Sequence, residues 1–506
     1  MSRERVFVIS AVVVAASVFI TPFHRELYVG DETKYSQVVR EMRDGAFFLP
    51  TLHGSPFTHK PPLHFWAIDL LTFPLGVHNL WPFVLPSLLS FLFLLWLMAR
   101  IEGPLAAFVT GTSVMIWGSA QTARMDVAFT AFLVLAAWQL KRFLDGESPR
   151  LLVYAGVSTG IATLIKGPMA PVIFLVLLLF ERIRRGRLPR GPYWLAIVAM
   201  AVIPLLWFVP AMMIGGDSYT RDVLVKQTAG RAIGAWVHKA APWFYITHAP
   251  ADLFPWFFLL VIALIAAYRR GDGETKFYVN WILAVLVPYS LLSSKLDVYM
   301  MTLIPPVAIV IARFVRGETD VWSRWGWRAN LFVLGVLLGL GVAGFFLLPG
   351  QVRGDDAAVA QRLDVRLLFV VLAIAALAGL IASIRSRSLT TSTAAVGLVP
   401  VAALVYVAIA LIPLANEMAS TRPLVEAILR QRVPPEQVVM HVAPHLWTRG
   451  MRPELASIRH VNDVPEDATV VVTRRRDAEK IADDLARYRK VDEFRLIGKW
   501  FDVYRR

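Results

Sequence analysis

Apolar runs of about 20 residues recur along this chain, and nothing else in it narrows the fold as far. A helix needs roughly that length to cross a hydrocarbon core of about 30 Å, where every backbone N–H and C=O must be paired within the segment. Windows of that size mark about thirteen candidate spans. They lie near 6–23, 79–98, 104–121, 126–143, 151–165, 168–181, 193–214, 255–268, 277–293, 299–315, 330–348, 366–384 and 393–413. The stretch 61–75 (PPLHFWAIDLLTFPL) is too short and too Pro-bounded to span. It predicts a helix lying in the interface. With 57% hydrophobic residues in 506, more than a soluble globular domain usually carries, membrane embedding is the first reading.

The net charge of +15, from 52 basic and 37 acidic residues, would point to nucleic acid in a soluble protein. In a membrane protein its distribution matters instead, because Lys and Arg collect in cytoplasmic loops. With a cytoplasmic N-terminus, the alternate loops 141–150, 181–191, 268–276, 313–328 and 384–388 are the basic ones. The segments 24–60, 215–254, 294–298 and 349–365 then fall outside, as does the C-terminus. Residues 1–22 have the charge and apolarity of a signal peptide, but the many spans that follow favour an uncleaved first helix. The absence of cysteine excludes disulfides, thiolate metal sites and a thiol nucleophile.

The expected fold is an all-α polytopic membrane domain over 1–415, with outer loops 24–78 and 215–254. A small α/β extracytoplasmic domain follows over 416–506. In it, ATVVVT (468–473) reads as a buried strand, 475–488 as an amphipathic helix, and EFRLIGKWFDVYR (493–505) as a strand or hairpin.

The first outer loop, HRELYVGDETKYSQVVREMRDGAFFLPTLHGSPFTHKPPLHFW, carries the chemistry. Asp31 is placed to cap a helix running from about Glu32 to Arg43 and ending at Gly45. His59-Lys60-Pro61-Pro62 returns the chain to the bilayer with a cation on a rigid turn. A carboxylate and a lysine on one rim suit a reaction with a proton to remove and a phosphate to hold. Other ionisable residues fall on the same outer face. They are Arg124 and Asp126, Lys166, Lys295, Asp297 and Tyr299, and in the long loop Arg221, Lys226, Arg231, His238 and Lys239. Singly, each is a solvated loop charge or a snorkelling anchor. Five connections placing such groups on one face point to function. Trp243-Phe244-Tyr245 and Phe254-Pro255-Trp256-Phe257 read first as an interfacial aromatic belt, and second as walls for an apolar tail.

The segments DETKYSQVVREM, THKPPLHFW, RMDVAFTAFL, IKGPMAPVI, WVHKAAPWFYI and SSKLDVYMMTLIPP occur in order across most of residues 1–310. Together they resemble the bacterial aminoarabinose transferase-like glycosyltransferases of the GT-C superfamily, alongside the protein O-mannosyltransferases. The resemblance implies an inverting transfer from a polyprenyl-phosphate sugar, in the bacterial inner membrane, to lipid A or another envelope glycolipid or glycan. Asp31 would be the base or acceptor-positioning carboxylate, and Asp126 a second acidic residue. Lys60, Arg231, Tyr299 and Lys295 would hold the donor phosphate. Glu32, Lys34, His59, Arg124, Lys166 and His238 would support them, with Lys34 where the family often has Arg. Two positions that can hold a divalent metal in relatives differ here: His59 replaces Glu, and Lys226-Gln227 replaces an acidic-His pair. No cofactor is therefore assigned, and a divalent metal is left open. The expected partners are the lipid-linked donor, a glycolipid, glycan or protein acceptor, and membrane lipids around a monomer, with no nucleic acid.

The rival readings are a protein O-glycosyltransferase using a similar donor, a secondary transporter and a membrane-anchored binding module. A transporter places ionisable groups and broken helices near the bilayer midplane. Here they cluster at one face.

Overall fold

The computed structural model describes residues 3–28, 30–52, 54–225, 240–317, 319–351, 361–441, 458–496 and 498–506. Among these, eight helices are long and apolar enough to cross a membrane. They are Glu4–Phe23, Trp81–Glu102, Asp126–Leu144, Tyr193–Val225, Asp297–Arg316, Val321–Leu348, Asp364–Ser386 and Leu389–Ala419. The bent pair Phe244–Asp252 and Phe257–Arg270, turning through 111°, brings the number to nine if it is one span. This is fewer than the thirteen apolar windows. Three windows became helices of 17 residues, Arg150–Lys166, Met169–Arg185 and Thr275–Leu291. A fourth is broken at Thr112–Ser113 into Pro104–Gly111 and Val114–Ala120.

The helices differ in how much protein surrounds them. In Asp297–Arg316, 83% of the apolar window is buried, whereas in Tyr193–Val225 and Asp364–Ser386 only 17% is. The first is an inner helix and the other two are peripheral. Their outward residues, among them Leu206 and Ile374, are apolar and uncovered, as hydrocarbon-facing side chains must be. Close packing relies on small residues. A Cβ on Gly344 would collide with the ring of Phe369, so helices Val321–Gln351 and Leu363–Ser386 approach only because that position is glycine. Buried polar groups lock the bundle: Glu181, fully enclosed, accepts from Asn280 at 2.8 Å and from Arg184 and Arg185 at 2.9 Å.

The chain forms two compact units. The first comprises Met1–Ile20, Thr58–His64 and Pro86–Ala408. The second comprises Thr21–Phe57, Phe65–Leu85 and Ile409–Arg506, so the first loop and the C-terminal segment fold together. The Asn416 side chain joins them as a strand partner would, donating to His24 O at 2.7 Å and accepting from Glu26 N–H at 3.0 Å. Arg422 adds a 2.9 Å bond to Glu26.

The second unit contains a small hairpin, β1 (Thr51–Leu52) and β2 (Ser55–Pro56), and a five-stranded mixed sheet. The sheet strands are β3 (Val438–His441), β4 (Arg459–Val461), β5 (Val470–Arg474), β6 (Arg489–Leu496) and β7 (Lys499–Arg505), in the order β4-β3-β5-β7-β6. β5 is the expected strand, and β6–β7 is the expected hairpin. A continuous valine run suits β5 because both its faces are covered. Val470 and Val472 pack with Leu424 and Ile428, while Val471 packs with Ile481, Leu485 and Tyr488 on the other side. The expected helix over 475–488 is not continuous. It is a 3-10 segment, Arg475–Ile481, followed by one α-turn, Ala482–Leu485. Its three apolar anchors need only reach one sheet face, and a long helix is not required for that.

Candidate active site

Asp126 is the first residue of helix Asp126–Leu144, and Lys166 is the last of helix Arg150–Lys166. Each charge complements the partial charge of its own helix end. The short turn between these helices makes them antiparallel neighbours, so the two ends meet. Gly167, with φ 109°, stops the second helix in a conformation that a side chain would resist. The Lys166 ammonium donates to Asp126 Oδ1, and Arg124 Nε donates to Oδ2 at 3.1 Å. Asp126 is buried, and both of its oxygens are engaged by cations.

Lys166 Nζ also lies 5.0 Å from the ring centre of Tyr299 and 5.5 Å from that of Phe129. Tyr299 stacks on the fully buried Tyr289 at 4.8 Å and 17°. It sits on the 3-10 helix Asp297–Leu303 that leads into Ile304-Pro305-Pro306, where fixed proline dihedrals set the start of the inner helix. Together these groups line a cavity of about 330 Å³. His59, Lys60, Lys166 and Tyr299 supply its polar wall, and Met169, Val172 and Trp207 supply apolar surface. Pro61 and Pro62 restrict the backbone that carries Lys60, and Lys60 is near enough to Asp126 to stabilise its charge. The cavity lining thus combines two cations and a phenol with apolar side chains. That suits an amphiphilic anion.

Lys295 is placed differently. Its ammonium donates to Ser290 O at 2.9 Å and to Leu292 O, closing the carboxyl end of helix Thr275–Leu291. Burial pulls it below the ordinary lysine range. It does not line the cavity among the described residues. The aromatic segments also divide: Tyr245 and Trp256 are enclosed, whereas Trp243 is 63% exposed. Only the last fits a belt residue.

In the second unit, helix Asp31–Glu41 starts one residue earlier than the sequence suggested. Gly30 takes the cap position in place of Asp31, and its N–H donates to Thr33 Oγ1 at 3.2 Å. Asp31, in the first turn, is a half-exposed carboxylate 3.3 Å from Lys34 Nζ. Glu32 is buried, bonded by Arg25 and by Tyr28 N–H at 2.9 Å. Its role is to hold the loop. After Glu41 the chain widens into a π-turn, Met42–Ala46, and bends at Gly45 as expected.

Arg231, His238, Lys226 and Gln227 lie outside the described residues. Among those described, no three His, Asp or Glu side chains converge as metal ligands do.

Two cavity residues and one neighbour of Asp126 are not singled out by the sequence. Tyr289 and Trp207 lie inside apolar windows, where an aromatic has no distinguishing mark. His64 did leave a signal, as an ionisable residue in the apolar stretch 61–75. It is fully buried beside Asp126, and burial drives its imidazole down to about 4 against the pull of that carboxylate.

Residues 59–208 match the family model described as dolichyl-phosphate-mannose-protein mannosyltransferase. The undecaprenyl phosphate-alpha-4-amino-4-deoxy-L-arabinose arabinosyl transferase of Pectobacterium atrosepticum is 26% identical over 355 residues, covering 66% of this chain and 64% of that protein. The enzyme of the same name from Edwardsiella ictaluri is 27% identical over 331 residues, covering 61% and 60%. The alignment thus spans just under two thirds of the length of these curated relatives. The crystal structure of ArnT from Cupriavidus metallidurans bound to undecaprenyl phosphate superposes with a TM-score of 0.78. It does so at 16% identity, over 98% of this chain and 97% of that one. The chain has that fold, its residues 59–208 are similar to the mannosyltransferase family segment, and its longer alignments are to the aminoarabinose transferases.

Proposed function

We propose that this protein is an inverting glycosyltransferase that moves a sugar from a polyprenyl-phosphate donor to an acceptor hydroxyl at the outer face of a bacterial inner membrane. The observation that carries this reading is the cavity lined by Lys60, Lys166 and Tyr299, in which Lys166 is held by Asp126. The leaving group of such a transfer is a phosphate ester, already anionic and stable, so it needs cations and hydrogen-bond donors rather than a strong acid. The two lysines and the tyrosine meet that need, and the apolar lining residues suit the first part of a prenyl tail.

The acceptor oxygen attacks the anomeric carbon as the sugar–phosphate bond breaks, which inverts that centre. Its proton passes to a carboxylate, and Asp31, placed by its motif, is the one assigned. Asp126 takes a positioning role, since both its oxygens hold cations. Arg231 joins the phosphate contacts by motif, and Lys295 supports the turn that presents Tyr299. The three 17-residue helices and the broken 104–120 pair complete a bundle of about thirteen crossings, with residues 416–506 on the outer face. Lipid A or another envelope glycolipid or glycan is the acceptor class this reading favours, because the distant relatives transfer aminoarabinose.

The test is to incubate purified protein with a set of undecaprenyl-phosphate sugars and with envelope glycolipid or protein acceptors, then analyse products by mass spectrometry. Glycolipid glycosylation with release of undecaprenyl phosphate is expected. Transfer only to protein would move the acceptor assignment, and neither transfer nor donor binding across the set would reject the reading.

A further inference from the structure

The inner helix that begins beside Tyr299 ends at Arg316, roughly 25 Å away at helical rise, and a second cavity opens beyond it. Its volume is about 820 Å³. It is framed by the start of helix Val321–Gln351, the end of Leu363–Ser386 and the start of Leu389–Tyr406. No part of the transfer chemistry uses it.

Its lining is positive and carries hydrogen-bond donors. Arg324 and Arg387 line the wall, and among the described residues neither has a carboxylate partner. The acidic side chain on the wall, Asp320, is already committed. Arg270 holds its Oδ2 at 2.7 and 3.0 Å, while its Oδ1 accepts the backbone N–H of Trp322 and Ser323 at 2.9 and 3.0 Å. An entering ligand therefore meets two guanidinium groups, with the hydroxyls of Ser386 and Ser388 beside them.

The floor is braced. Trp327 Nε1 donates to Ser383 O at 3.1 Å, and Asn330 Nδ2 donates to Ser392 Oγ and Thr393 Oγ1 at 3.0 and 3.1 Å, which ties the three helices together beside the space. Next to the arginines, Val321, Trp325 and Ile384 are about half exposed on helices that face hydrocarbon. A charged recess bordered by apolar surface matches a molecule with a phosphate head and an acyl tail. Basic pockets between transmembrane helices hold such headgroups, and guanidinium forks fit phosphate oxygens in pairs.

We propose that this cavity binds a phosphate-bearing anion, and that its occupant is the headgroup of an acidic phospholipid in the leaflet contacted by the basic loops. The site is separate from the transfer reaction and stands whether or not that reading holds.

The experiment uses the full chain, purified in detergent and delipidated, then offered phosphatidylglycerol and phosphatidylcholine and examined by native mass spectrometry. The wild type should retain phosphatidylglycerol preferentially. The double variant R324Q/R387Q should lose about thirtyfold of that preference, since each arginine near such a headgroup is worth about fivefold in affinity. The single variants, each expected to lose about fivefold, keep the test open if the double variant does not fold. Equal retention of the two lipids by the wild type, or unchanged preference in the variants, would overturn the site. Displacement of the lipid by excess inorganic phosphate would overturn the lipid assignment in favour of a soluble phosphate ester.

Discussion

Lys166 and Asp126 meet at the unconnected ends of two antiparallel helices, the ammonium of a last residue donating to the carboxylate of a first. Arg124 takes the other oxygen, and Tyr299 lies under the ammonium. The pair therefore fixes where a cation stands in the cavity.

Breaking this pair leaves one charge buried without its partner, which costs about 3–5 kcal/mol in comparable sites. Asp126→Asn and Lys166→Met should each lower the detergent melting temperature and reduce transfer. The double variant should recover most of the stability and none of the activity, because a neutral pair packs but holds no phosphate. If activity returned together with stability, the pair would be a structural brace and no more.

Lys60 and Tyr299 are assigned direct donor contacts. Lys60→Ala and Tyr299→Phe should each slow transfer by about 10²–10³, the usual loss for one preorganised contact to a developing charge. Lys60→Arg should retain a measurable fraction. Tyr289→Phe, which keeps the stacking ring, should be nearly silent. Steady-state rates with a fixed donor would reveal a reversed order, which would remove Tyr299 from the site.

Asp31→Asn should abolish transfer while leaving donor affinity and melting temperature close to wild type, because the helix cap belongs to Gly30. Lys34→Ala, which removes the neighbouring cation, should have a smaller effect on rate. Full activity in the asparagine variant would reject Asp31 as the base.

His64 predicts a pH dependence. Its native value, about 4, lies below the ordinary imidazole value of 6.5, so the unfolded chain takes up the proton first as pH falls. Stability is fully present above about 6.5 and is lost progressively down to about 4, reaching about 3 kcal/mol. Melting curves across that interval should show the loss in wild type and a flatter profile in His64→Phe. Parallel slopes in the two proteins would assign the effect elsewhere.

The sequence by itself determined the membrane class, the positions of the apolar helices, the short apolar helix within 61–75, the β5 strand and the β6–β7 hairpin. Each of these follows from local apolarity or alternation, which burial reads residue by residue. It also singled out Lys60, Asp126, Lys166 and Tyr299, through motifs at helix ends. It could not say which of these would converge. Lys295 and Tyr299 are four residues apart on one turn, yet one closes a helix and the other lines the cavity. Only the packing of distant helices placed Tyr289 under Tyr299 and His64 beside Asp126, or gave both oxygens of Asp126 to cations. A hydrophobic run carries its own fate, because its solvent preference is a property of the segment. The role of a polar side chain depends on what the fold brings opposite it.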